Sequence, residues 1–203
     1  MPLIVLLLAA APTTLVDART AVPELQVDLR YSTTNNFLGR DVYGDRTVCE
    51  LQNDAVTMLG VADRALRASH PELRLHAWDC ARPHSVQVAM WDIVKGTSKQ
   101  GYVADPAGGS IHNFGCAIDL TLATTAGAVL DMGTPFDHFG PEAEPRRERE
   151  MLVAGTLTAT QYANRLVLRE VMVRAGFLPL EHEWWHFDCA TGPVARKRYP
   201  MTP

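Results

Sequence analysis

Long apolar runs are missing from this chain of 203 residues: its most hydrophobic stretch, Leu3 to Ala11, is much shorter than the ~20 residues a membrane-spanning helix needs. No membrane span is therefore expected. Positive charge is absent from the start, with no Lys or Arg before Arg19. Residues 1–18 accordingly read as a short signal peptide without the usual basic opening, with Val16-Asp17-Ala18 as its small-residue cleavage site. That reading implies a periplasmic or secreted protein, or a cytoplasmic one if the leader is not a signal. Basic patches are missing too. The formal net charge is -4, and the Arg196-Lys197-Arg198 triplet is too short to bind nucleic acid, so it reads as a solvated tail. None of the four cysteines forms a C-x-x-C pair, which excludes a structural zinc knuckle. No internal repeat or low-complexity stretch occurs, and residues 19–203 fit a single domain at the usual ~100–200 residues per domain.

What is present is a set of metal-type side chains in two segments, Ser110-Ile-His112-Asn-Phe-Gly115-Cys-Ala117-Ile-Asp119 and Glu183-Trp184-Trp185-His186. They supply two imidazoles, one carboxylate and a spare glutamate. Three protein ligands leave a zinc ion one open position for water, and a carboxylate outside the ligand set can take that water's proton. A competing motif overlaps the second segment. His182-Glu183-Trp184-Trp185-His186 satisfies H-E-x-x-H, which requires a helix with both histidines on one face. Its aromatic content, between Pro179 and Gly192-Pro193, favours a strand instead, and after His186 only Asp188 remains as a possible third ligand. His112, Asp119 and His186 are thus the expected ligands, with Glu183 as base. Glu181, His182 and Asp188 are given no metal role, because polar neighbours of a ligand commonly orient it without coordinating.

Alternation over Cys116 to Leu122 sets Asp119 on the opposite face from Cys116, Ile118 and Leu120. His112 has the opposite parity to Asp119, so a bend must intervene, and Gly115 is the residue that permits one. Helices are expected over Asn53 to Ser69 with Asn53 as N-cap, Pro83 to Lys95, and Thr158 to Ala175 closed by Gly176. Strands are expected at Leu73 to Asp79, Cys116 to Leu122 and Glu183 to Cys189, giving an α+β fold with a mainly antiparallel central sheet packed by helices. The charged segment Gly140 to Glu150 reads as a loop near the site mouth, with a solvated linker as its plainer reading. His138 reads as a rim or exposed loop residue, and His70, His76 and His84 as ordinary surface residues.

The S-x-H-x-x-G-x-A-x-D segment followed by E-x-W-H resembles the D-alanyl-D-alanine dipeptidases, the VanX-type branch of the zinc D,D-peptidase family related to VanY-type carboxypeptidases and the hedgehog domain. Arg30 to Phe37, Trp78 to Pro83 and Asp131 to Asp137 also read like that family, in the same order, from about residue 25 onward. The resemblance implies a hedgehog/D,D-peptidase-like fold and one Zn2+ per chain held by His112, Asp119 and His186. It implies Glu183 as general base, Arg82 as transition-state stabiliser, and Ser110 and Asp137 as substrate-binding residues, Asp137 toward the free ammonium. One departure stands out: the family commonly carries a Tyr before the arginine, where this chain has Ala81, leaving open how Arg82 is packed.

The implied activity is hydrolysis of D-alanyl-D-alanine or similar short D,D-dipeptides, small-molecule substrates connected with cell-wall peptidoglycan. The alternatives are a D,D- or L,D-carboxypeptidase acting on stem peptides, and a hedgehog-like zinc module without turnover. Glu183 and Arg82 speak for an enzyme, since a module using zinc only for folding needs neither. If the two ligand strands are adjacent, Cys116 and Cys189 can meet behind the metal site, which leaves Cys49 and Cys80 as the second pair. Four buried thiols in a reducing compartment are the alternative.

Overall fold

A computed structural model describes residues 14–203 of the chain. Most of the expected leader lies outside the described residues. Its last part does not: Val16–Asp17 forms strand β1, paired antiparallel with β3 at Glu50–Leu51, and Ala18 is fully buried with its N–H donated to the Cys49 carbonyl.

The central sheet has five strands in the order β2 (Gln26–Val27), β4 (Leu73–Asp79), β5 (Ala117–Thr124), β7 (His186–Asp188) and β6 (Leu178–Pro179). The expectation of a mainly antiparallel sheet is corrected: the sheet is mixed, because β2 and β4 are parallel while the other neighbours are antiparallel. The cause is the connection between them. Helix α1 (Asn53–Ser69) carries the chain back to the end from which it started, the crossover that a parallel pair requires.

The spacing of Val56, Leu59, Ala62 and Leu66 gives α1 one apolar face, and all four are buried. Leu59 and Leu66 each contribute roughly 1.5–3 kcal/mol by leaving water. Its cap is Gln52, not the expected Asn53, and the Gln52 amide reaches across to donate to the Phe114 carbonyl at 2.9 Å. The start of α1 is thereby tied to the segment that carries His112. Helix α2 (His84–Val94) follows Pro83, α3 spans Glu148–Ala154, α4 spans Ala159–Arg174 and α5 spans Gly192–Arg198. Thr158 and Gln161 close a capping box at the head of α4, and Gly176, with φ of 100°, follows its end. Helices α1 and α4 pack on each other, α1 against β4 and α4 against β5.

Two further expectations change. The strand expected from Glu183 is confined to β7, because Glu183 to Trp185 form a turn in which the His186 N–H points back to the Glu183 carbonyl at 3.4 Å. Segment 140–150 is not a solvated loop. It folds into 3-10 turns at Pro141–Ala143 and Pro145–Arg147 and then enters α3, where Glu148 is buried against Arg165 and Arg169. Arg165 is itself buried; it donates to the Met132 and Glu142 carbonyls and lies 5.6 Å from the Trp184 ring centroid.

Candidate metal centre and active site

His112 sits in a 3-10 turn, Ile111–Phe114, that ends at Gly115. Gly115 adopts the left-handed conformation with φ of 65°, the bend that lets His112 and Asp119 reach a common point despite their opposite parity. Asp119 lies on β5 directly across from His186 on β7, so register alone brings these two side chains to one face.

The three donors converge. His112 Nε2 lies 3.1 Å from His186 Nδ1, His186 Nδ1 lies 2.9 Å from Asp119 Oδ1, and His112 Nε2 lies 3.3 Å from the same oxygen. All three residues are buried, and they are the one group of this kind among the described residues. The remaining ring nitrogens fix the tautomers. His112 Nδ1 donates to the Cys80 carbonyl at 2.8 Å and His186 Nε2 donates to Asp188 Oδ1 at 2.9 Å, which frees Nε2 of the first ring and Nδ1 of the second as lone-pair donors. Donors arranged tetrahedrally at about 2.0–2.2 Å from zinc stand roughly 3.3–3.6 Å apart, only slightly wider than this triangle.

The electrostatics call for a cation at the same point. Burial opposes charge on Asp119, yet His112 and His186 outweigh it and hold the carboxyl far below the ordinary range. Burial likewise opposes charge on His186, and Asp188 and Asp119 outweigh it and raise the ring's proton affinity well above the usual value. The donor set therefore fits a divalent metal, which would supply the positive charge that a proton otherwise supplies.

Glu183 stands beside the triangle without joining it, its Oε2 4.0 Å from His186 Nδ1. Burial, assisted by Asp119 and Asp137 against the pull of His186, pushes its carboxyl up to about 8. Arg82 is buried at the end of β4. Its Nε and Nη2 donate to Asp79 Oδ2 at 3.0 and 2.7 Å, its Nη1 donates to Gln87 Oε1 at 2.8 Å, and Nη2 points toward Asp119 Oδ2 at 3.9 Å. Two of the five guanidinium N–H bonds have no protein acceptor. Ala81 is buried, and the aromatic packing comes from elsewhere: Arg82 lies 5.4 Å from the Tyr31 ring centroid, and the Tyr43 hydroxyl donates to Asp79.

Asp137 lies one side chain further away. It accepts from the Tyr31 hydroxyl at 2.9 Å and the Phe37 N–H at 3.2 Å, and its backbone has the strained φ of 59°.

Residues 11–202 match the peptidase family described as D-ala-D-ala dipeptidase. The D-alanyl-D-alanine dipeptidase of Escherichia coli (strain K12) is 34% identical over 87% of this chain and 84% of its own length. The enzyme of that name from Enterococcus faecium is 30% identical over 79% of this chain and 83% of its own length, and that from Streptomyces coelicolor 28% identical over 85% and 89%. The chain belongs to this family of metallopeptidases.

Beside the donor triangle lies a cavity of about 260 Å³ lined by Arg82, Ser110, His112, Glu183 and His186. It is smaller than the ~300–1,000 Å³ of sites that take drug-sized ligands, and so is scaled to a small molecule. A larger cavity of about 670 Å³ is lined by Asp137 and the aromatic residues Phe37, Trp78, Phe136 and Trp184, away from the donor triangle. Asp137 thus lines the larger cavity and is not on the wall of the smaller one. His182 lies on the cavity wall, but His182 to Trp185 are not helical, so the H-E-x-x-H geometry does not form.

Cys49 is bonded to Cys80 and Cys116 to Cys189. Asp79, Tyr43 and Gln87 went unnoticed in the sequence. Only the adjacency of Asp79 to Arg82 in Trp78 to Pro83 signalled the first, and nothing local signalled the others.

Proposed function

We propose that the protein is a zinc-dependent dipeptidase hydrolysing D-alanyl-D-alanine or a similar short D,D-dipeptide, with one zinc ion per chain. The observation that carries this is the convergence of His112 Nε2, Asp119 Oδ1 and His186 Nδ1 beside a half-buried carboxylate, Glu183, that is not among them. Bound there, zinc would acidify a water molecule and polarise the scissile carbonyl.

Glu183 accepts the proton of the attacking water and passes it to the leaving amine, and its raised proton affinity suits both halves of that transfer. Arg82, held rigidly by Asp79 and Gln87, directs its free N–H bonds at the oxygen that gains charge. Burial opposes the charge on Arg82, but Asp79 outweighs it, so the guanidinium stays positive throughout. Asp137, on the neighbouring larger cavity, is the carboxylate for the substrate's ammonium, and Ser110, on the wall of the smaller cavity, receives its carboxylate end.

The small cavity favours a dipeptide over a peptidoglycan stem. Two disulfides support an exported protein, since such bonds persist in oxidising compartments. Incubating the zinc-loaded protein with D-Ala-D-Ala, L-Ala-L-Ala and a muramyl pentapeptide tests the reading. Release of D-alanine from the first substrate alone is expected; cleavage of the pentapeptide alone would replace the dipeptidase assignment with a carboxypeptidase one.

A further inference from the structure

Arg196, read from sequence as part of a solvated tail, lines the metal cavity together with Ser110, His112 and Asp188. Its guanidinium is held on several sides. Nε donates to the Gly108 carbonyl at 2.8 Å, Nη2 donates to the Gly109 carbonyl at 3.0 Å, and the group lies 6.0 Å from the Phe114 ring centroid. On another side Gly192 presents bare backbone: a Cβ there would stand 2.5 Å from Arg196 Nη1. Among the described residues no carboxylate pairs with it. Asp188, on the same cavity wall, is committed to His186, and the neighbouring Arg198 is the one that pairs with Asp54. Three of its five N–H bonds, both of those on Nη1 included, have no protein acceptor.

A charged group fixed by two carbonyls, a ring and a glycine, yet left without a counter-ion, is arranged for an anion that arrives from outside. The two carbonyls precede Ser110 directly, so the guanidinium is anchored at the Ser110 end of the cavity. The other cation of the cavity, Arg82, is already neutralised by Asp79. We infer that Arg196 binds the free carboxylate of the substrate's C-terminal residue next to Ser110, and that it makes an unblocked carboxyl terminus a condition of efficient cleavage. The inference rests on the dipeptidase reading and adds to it the group that recognises the leaving residue. Exposed ion pairs are usually weak because two flexible side chains must be ordered, but here the arginine is ordered in advance and can offer two parallel N–H bonds.

The test uses the zinc-loaded full chain with D-Ala-D-Ala and its C-terminal amide. The wild-type protein should prefer the free acid. Arg196→Met should raise KM for the acid about 10- to 100-fold, the scale of a charge-assisted contact, with a smaller change in kcat, and leave cleavage of the amide within about 2-fold. Arg196→Lys should recover part of the loss, because the charge returns without the paired geometry. Equal losses on acid and amide, or a wild-type protein indifferent to amidation, would overturn the inference while leaving the dipeptidase reading intact. A wild-type protein that cleaves neither compound removes that reading, and the inference falls with it.

Discussion

Asp79 and Asp119 stand opposite each other on β4 and β5, yet their carboxylates are turned to different partners: Asp79 to Arg82, and Asp119 to the two histidines. Like charges directly opposite are unfavourable in a sheet, and the Arg82 guanidinium, which approaches both, compensates. The pairing depends on a β-bulge. Ala77 pairs with Leu120 and Asp79 with Asp119, so Trp78 is the extra residue, and the shift sets Asp79 against the donor strand.

Asp79→Asn should therefore lower kcat by about 10- to 100-fold with a smaller effect on KM, because it unfastens Arg82, the group proposed to act on the developing charge. Zinc content should be unchanged, since His112 takes its orienting acceptor from Cys80 and not from Asp79. Leaving Arg82 buried without its partner should also cost about 3–5 kcal/mol of stability, read as a lower denaturation midpoint. An unaltered kcat would remove the positioning role.

Ala substitution at His112, Asp119 or His186 should each strip the roughly one zinc per chain expected of a mononuclear site, measured by elemental analysis after dialysis. His182→Ala should leave the metal in place. Loss of zinc from the His182 variant alone would restore the H-E-x-x-H reading.

Glu183→Ala should retain zinc and fold while turnover falls by at least ~100-fold, the usual scale for a lost general base. Near-normal turnover would exclude it from that role.

Asp137 gives a pH signature of its own. Burial, opposed by the Tyr31 hydrogen bond, pushes its carboxyl up to about 7, above the ~3.9 of an unfolded chain. Its contribution to stability is complete below about pH 4 and is lost as pH rises through about 7, where the folded protein must hold a buried charge. In Asp137→Asn that loss should vanish, so the variant's melting temperature should gain on that of the wild type between pH 4 and 8. A constant difference over that range would mean Asp137 is ionised throughout.

Sequence periodicity carried far where local rules govern. The range of α1 and that of β4 follow from apolar spacing and flanking breakers, and the bend at Gly115 follows from parity. It failed where distant partners decide. The Trp78 bulge breaks the parity that would have drawn attention to Asp79. Glu148 lies in the segment read as a loop, but it is buried because Arg165 lies across the α3–α4 contact. Arg196 sits among basic neighbours, and only the return of α5 to the 3-10 turn of His112 shows that it lines the cavity. The parallel β2–β4 pair escaped because strands as short as β2 leave almost no periodic trace.

The short strand β1 has a consequence for the donor histidines. Through Ala18 and the pairing with Glu50 and Leu51 it steadies Cys49; Cys49 is bonded to Cys80; and the Cys80 carbonyl sets the tautomer of His112. Trimming the chain to begin at Thr20 would leave every residue of the donor triangle in place and still disturb it, through a relay that begins at the amino end of the described fold and finishes on an imidazole.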